Sequence, residues 1–121
     1  LVPAASDQWG VDVFHSLEDA VTDCDAIMAL RQQKERMSGG FIPSGREFFH
    51  LYGLSHDTIK PAKPDVLIMH PGPMNRGVEI HTKLADDPDR SVIMEQVENG
   101  VAVRMAILEL IGANIRKEAS A

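Results

Sequence analysis

Val66-Leu67-Ile68-Met69-His70-Pro71-Gly72-Pro73 runs an unbroken apolar stretch straight into a proline–glycine–proline stop. An apolar run of that length suits a strand buried on both faces, as in a parallel sheet, and the Pro-Gly-Pro turn ends it abruptly. Upstream, Ala26-Ile27-Met28-Ala29-Leu30 is a second such run, and Val11-Asp12-Val13-Phe14 alternates briefly as a short first strand. Helix signals fall between and after these runs. Ser16-Leu17-Glu18-Asp19 and Ser44-Gly45-Arg46-Glu47 have the capping-box form. They predict one helix over about 17–23 and another that ends at Tyr52, stopped by Gly53. Ser55 opens a further turn closed by Pro61. Ser91 is the expected cap of a long helix to about Ile111, with Gly112 as its end. Ile93, Val97, Val101, Ile107, Leu108 and Ile111 roughly follow helical spacing along it. Strands alternating with helices define an α/β fold built on a partial, doubly wound parallel sheet with a long C-terminal helix. Three strands make a thin sheet for a free-standing domain. The chain also opens on Leu1-Val2-Pro3-Ala4-Ala5 rather than on Met. The expectation is a piece of something longer, with a partial α/β domain over 1–90 and a helix over 91–121.

Bulk properties narrow the function classes. The 121 residues, 44% hydrophobic and 25% charged, have the balance of one water-soluble domain. A formal charge of −6 argues against a nucleic-acid surface, and any anion site must rely on local arginines. No apolar run approaches the roughly 20 residues that cross a bilayer, so no membrane partner is expected. The first residues lack the basic start and apolar core of a signal peptide. Cys24 is the single cysteine, which precludes an internal disulfide and fits a reducing cytoplasm. The five histidines are scattered without metal-ligand spacing, so no metal site is expected. His15, His50, His56 and His81 have no evident partners in the sequence, and Cys24 reads as a packing residue.

Open parallel sheets bind ligands beyond the carboxyl ends of their strands. His15, the segment Arg31-Gln32-Gln33-Lys34-Glu35-Arg36, and His70-Pro71-Gly72-Pro73 occupy those positions. A guanidinium at Arg31 can take a carboxylate through two parallel hydrogen bonds, with the Gln33 amide two residues on. Equally, the segment can be an ordinary polar loop. Pro71 and Pro73 remove two backbone donors, so the carbonyls of Pro71 and Gly72 are candidates to accept from a ligand's N–H groups. The bland alternative is a plain turn with a buried His70. The Gly72-Pro73 bond is a candidate for the cis form.

Three segments carry a family resemblance: Leu30 to Met37, Met69 to Ile80, and Glu95 to Arg104. In their order and spacing they resemble the aspartate-binding segment, the His-Pro-Gly-Pro segment and the start of the last long helix of bacterial aspartate transcarbamoylases. The resemblance covers nearly the whole chain. It implies a Rossmann-like aspartate-binding domain whose final helix packs back on an N-terminal carbamoyl-phosphate domain. The implied reaction is attack by the amino group of L-aspartate on carbamoyl phosphate. It yields N-carbamoyl-L-aspartate and phosphate in pyrimidine synthesis, with no metal or organic cofactor. By motif, Arg31 and Gln33 would hold the aspartate carboxylates, and the carbonyls of Pro71 and Gly72 would hold the carbamoyl NH2. Gly72-Pro73 would be cis. His70 and Pro73 would support the turn, and Lys34, Glu35 and Arg36 would order a mobile loop over 38–46. In the family, the oxyanion donors and most phosphate ligands come from an N-terminal Ser-Thr-Arg-Thr segment and a histidine further along; that segment is not in this sequence, so no catalytic residue is assigned within it. The implied working form is a cytoplasmic homotrimer. Glycine at Gly72 is the form found in members that associate with a dihydroorotase-like protein. Ornithine transcarbamoylases resemble the chain less well, because they carry cysteine where Pro71 stands and a Ser-Met-Gly loop in place of Ser38-Gly39-Gly40. A binding fragment that keeps the fold without catalysis is the remaining alternative.

Overall fold

A computed structural model describes residues 6–33 and 44–118. A 3-10 turn over Ser6–Trp9 leads into helix α1 (Leu17–Val21), strand β1 (Ala26–Met28), helix α2 (Gly45–Tyr52), strand β2 (Leu67–Met69), the short helix α3 (Thr82–Ala85) and the long helix α4 (Ile93–Glu118). Both expected caps form. Asp19 N–H donates to Ser16 Oγ at 3.4 Å, and Glu47 N–H donates to Ser44 Oγ at 3.3 Å. Ser55 likewise caps its turn, accepting from Thr58 N–H at 3.3 Å.

The strands pair in parallel, with Ala26, Ile27 and Met28 opposite Leu67, Ile68 and Met69. The expected third strand is absent: residues 11–14 lie in irregular chain, with Val11 and Phe14 about half exposed. Alternating apolar residues make a strand only when a neighbouring backbone takes their N–H and C=O groups, and among the described residues this stretch has no such partner. The backbone at 90–92 flanks β2 instead. Ile68 N–H donates to Arg90 O at 2.8 Å, and Val92 N–H donates to Ile68 O at 3.0 Å. Nor are the strands covered on both faces, since Met28 and Leu67 stand 51% and 42% exposed.

The core lies on the other face of the sheet. Leu54, Ile59, Val66, Ile68, Ile80, Leu84 and Ile93 pack there with Ala29 and Ala85. Each fully buried aliphatic side chain of this kind stabilises the fold by about 1.5–3 kcal/mol. Helix α4 enters this core only at its first turn, through Ile93. Ser91 is not its cap: the hydroxyl donates to Ala85 O at 2.7 Å, and the helix starts two residues later. Gly112 does not end it either. A single helical glycine costs only about 1 kcal/mol, and α4 continues through it to Glu118. No helix among the described residues is long and apolar enough to cross a membrane.

Candidate active site

The strand register sets the geometry of the rim. Because Met28 faces Met69 in a parallel pair, the two chains leave the sheet side by side at the same edge. The pairing persists one step further, with Ala29 N–H donating to Met69 O at 3.0 Å. Arg31 and Gly72 therefore lie equally far beyond the carboxyl ends of their strands. A side-chain bond ties the two segments together, since Asn75 Nδ2 donates to Gln32 O at 3.3 Å. Arg31 is partly buried, the Gln32 side chain is buried and Gln33 is exposed. Lys34, Glu35, Arg36 and residues 38–43 of the expected loop lie outside the described residues. Ser44, Gly45 and Arg46 form the cap and first turn of α2.

The turn is built as an acceptor surface. Pro71 and Pro73 have no N–H. The remaining donor, Gly72 N–H, is spent on His70 Nδ1 at 2.9 Å. Carbonyls are thus the hydrogen-bonding groups left on the backbone from 71 to 73. The Gly72-Pro73 bond is cis, as the family resemblance implied, and Gly72 has a φ of +65°. A Cβ at Gly72 would meet only Val97 Cγ2, at 3.5 Å, so the demand for glycine there comes from backbone conformation rather than space.

Beneath the turn, His70 is fully buried. Its backbone N–H donates to Gln96 Oε1 on α4 at 2.9 Å. Its Nε2 lies 3.3 Å from Glu79 Oε1, close but without hydrogen-bond alignment. Glu79, 3% exposed, accepts the backbone N–H of Asn75 through the same oxygen. A tight return over 75–80 makes this possible: Gly77, at a φ of +78°, donates its N–H to Ile80 O at 2.8 Å. Leu54 N–H then pins Glu79 O at 3.0 Å. Asn75, Glu79 and Gln96 were not singled out in the sequence. The available signal was an acidic residue framed by Val78 and Ile80 a few positions past the turn.

Of the histidines expected at the surface or in packing, His15, His50 and His56 are exposed, and two have partners that the sequence did not show. His81 caps α3, its Nδ1 accepting from Lys83 N–H at 3.1 Å, and His56 Nε2 pairs with Asp87 Oδ2 at 2.7 Å. That pairing holds the Asp87 carboxyl below its ordinary range, helped by the Asp89 backbone N–H. Arg76 grips Asp86 with both terminal nitrogens, at 2.6 and 2.7 Å, and lowers that carboxyl too. Without a strand at 11–14, His15 follows no strand end. It lines a separate open groove of about 570 Å3 with Leu51, Tyr52 and Lys60, away from the Arg31–Gly72 rim. The described residues hold no group of three or more His, Cys, Asp or Glu arranged for a metal ion.

The family model for the aspartate/ornithine carbamoyltransferase Asp/Orn binding domain matches residues 4–111. This chain belongs to that carbamoyltransferase family. It is 78% identical, over its whole length, to the aspartate carbamoyltransferase catalytic subunit of Maricaulis maris, of which it covers 38%. Among solved structures, the fold is similar to aspartate transcarbamoylase from Trypanosoma cruzi in complex with carbamoyl aspartate and phosphate. There the TM-score is 0.63 at 28% identity, covering 78% of this chain and 28% of that one. It is also similar to ornithine carbamoyltransferase from Pyrococcus furiosus, with a TM-score of 0.62 at 30% identity, covering 78% and 29%. The chain thus spans well under half the length of these carbamoyltransferases. The fold is common to both substrate branches, so the choice between them rests on the residues at the rim.

Proposed function

We propose that this chain supplies the aspartate-binding half of an aspartate carbamoyltransferase active site. The observation that carries the reading is the shared rim, where a guanidinium-bearing segment is tied through Asn75 to a turn whose free backbone groups are all acceptors. Arg31 would grip a carboxylate of L-aspartate bidentately, with the Gln33 amide beside it. The carbonyls of Pro71 and Gly72 would accept the NH2 of the carbamoyl group. So held, the neutral amine of aspartate attacks the carbamoyl carbon. A C–N bond forms, the C–O bond to phosphate breaks, and the amine gives up one proton. Positioning of this kind can supply several kcal/mol of rate acceleration. The donors for the developing oxyanion are assigned to a carbamoyl-phosphate domain that this sequence does not include. The apolar face of α4 would pack on that domain.

A homotrimer of catalytic chains in the cytoplasm, serving pyrimidine synthesis, completes the reading. A dihydroorotase-like protein is its further candidate partner, suggested by glycine at position 72. Arg31 favours an acidic over a cationic second substrate, which sets aspartate ahead of ornithine. The test is an assay of the full-length catalytic subunit carrying this segment. Carbamoyl-aspartate should form from both substrates, ornithine should go unmodified, and residues 1–121 alone should make no product. Carbamoylation of ornithine at a comparable rate, or product from the isolated segment, would contradict the proposal.

A further inference from the structure

Among the described residues Glu79 is the buried carboxylate, and none of the substrate contacts proposed above uses it. Its surroundings link the two halves of the rim. Toward the turn, Glu79 Oε1 lies 3.3 Å from His70 Nε2, and His70 Nδ1 accepts the N–H of Gly72 at 2.9 Å. A nitrogen that accepts carries no proton, so in the neutral ring the proton sits on Nε2, the side facing Glu79. Toward the aspartate segment, Glu79 accepts the backbone N–H of Asn75, whose side chain donates to Gln32 O at 3.3 Å. One carboxylate thus lies between Gly72 and Gln32, in contact with the His70 ring on one side and hydrogen-bonded to Asn75 on the other.

The junction is costly to keep. Glu79 Oε2, His70 Nε2 and Gln32 Oε1 are all buried without a hydrogen-bond partner among the described residues. Each such atom costs about 1–3 kcal/mol, and apolar side chains of similar shape would remove the cost. A site with only a packing role would be expected to be apolar. From this geometry we infer that Glu79 is a positioning residue for carbamoyl transfer. It holds the 71–73 turn and the Arg31–Gln33 segment in one register, so that the carbamoyl and carboxylate subsites keep a fixed separation. This inference rests on the aspartate carbamoyltransferase reading above.

Steady-state kinetics of the full-length catalytic subunit carrying this segment test it, with rates expressed per folded site. Glu79→Ala should raise KM for aspartate and lower kcat, together cutting kcat/KM by about 100-fold. Glu79→Gln keeps an acceptor oxygen for the Asn75 N–H and should recover activity to within about fivefold of the parent. Asn75→Ala breaks the link to Gln32 while leaving the buried carboxylate in place, and should cost about tenfold. Combined with Glu79→Ala it should add almost nothing, because both changes cut the same path. Unchanged kcat and KM per folded site in Glu79→Ala, or losses that simply multiply in the double variant, would overturn the inference. Should Glu79→Ala fail to fold, Asn75→Ala decides alone, with the tenfold loss supporting the inference and parental kinetics refuting it. A parent subunit that makes no carbamoyl-aspartate would defeat the underlying reading, and this inference with it. An active parent with an inert Glu79→Ala defeats the inference only.

Discussion

The rim around Gly72 follows directly from β2 and α4 touches the core at its first turn, yet the rim and the outer turns of α4 are opposite kinds of surface. At the rim, polar groups are buried: His70 is fully enclosed, Glu79 nearly so, and Gln96 reaches across from α4 to hold the backbone of His70. Farther along the same helix, apolar side chains face solvent, with Val101 54%, Met105 66%, Leu108 69% and Ile115 60% exposed. Polar groups inside and apolar groups outside reverse the usual economy of a small domain. The reversal teaches where each region does its work. In the reading proposed above, the buried polar atoms at the rim would fix directions for a ligand. In the same reading, the open apolar stripe is where α4 would pack on the carbamoyl-phosphate domain.

The largest effect that would sharpen this contrast is in the core. Ile68→Ala should destabilise the full-length subunit by about 3 kcal/mol, because Ile68 is completely buried and the cavity cannot close around β2. Denaturant midpoints check it, and a loss under about 1 kcal/mol would mean that the core is looser than described. Next comes the helix. If α4 is covered in the full-length subunit, Leu108→Ser should cost about 2 kcal/mol there, although Leu108 is two-thirds exposed here. No loss would break the comparison by showing the stripe to be a true surface. Gly72→Ala is smaller. With φ at +65° and open space around the position, the cost is that of the backbone conformation alone, about 1 kcal/mol. The loss should show more in kcat than in thermal stability.

The smallest effect is the pH response of the acidic stretch. Asp86 is held below its ordinary 3.8 by the hydrogen bonds from Arg76, and Asp87 by that from His56. Depressed carboxyls stabilise the folded state above their unfolded values, and that stability is lost as pH falls through the folded ones. Thermal midpoints should therefore drop below about pH 4, and Arg76→Ala should remove part of the drop. The Arg76–Asp86 pair faces solvent and the His56–Asp87 pair is open on its histidine side, so the change is modest and screened by salt.

Much of this was legible in the residues, for local reasons. Both capping serines, the strands within the two apolar runs and the Gly53 stop depend on chemistry within a few positions, and each formed where the spacing placed it, although burial on both faces of the strands did not follow. Elements that depend on a neighbour did not. The alternation at Val11 to Phe14 had no backbone to pair with, and Ser91 turned its hydroxyl to Ala85 instead of to its own helix. At the rim, Arg31, Gln33, Pro71 and Gly72 were visible from residue type and position after a strand. Asn75 and Glu79 were not, because their role depends on a return of the chain that brings residue 79 back beneath residue 75. Partners such as His56 with Asp87, 31 residues apart, are equally invisible to local spacing.

The most direct measurement of the central claim is the steady-state kinetics of Arg31→Ala in the full-length subunit, with each substrate varied in turn. KM for aspartate should rise by about 100-fold or more, as expected on losing a charge-assisted bidentate pair, while KM for carbamoyl phosphate stays within about threefold. An equal rise for both substrates, or none for aspartate, would contradict the assignment of this rim to aspartate.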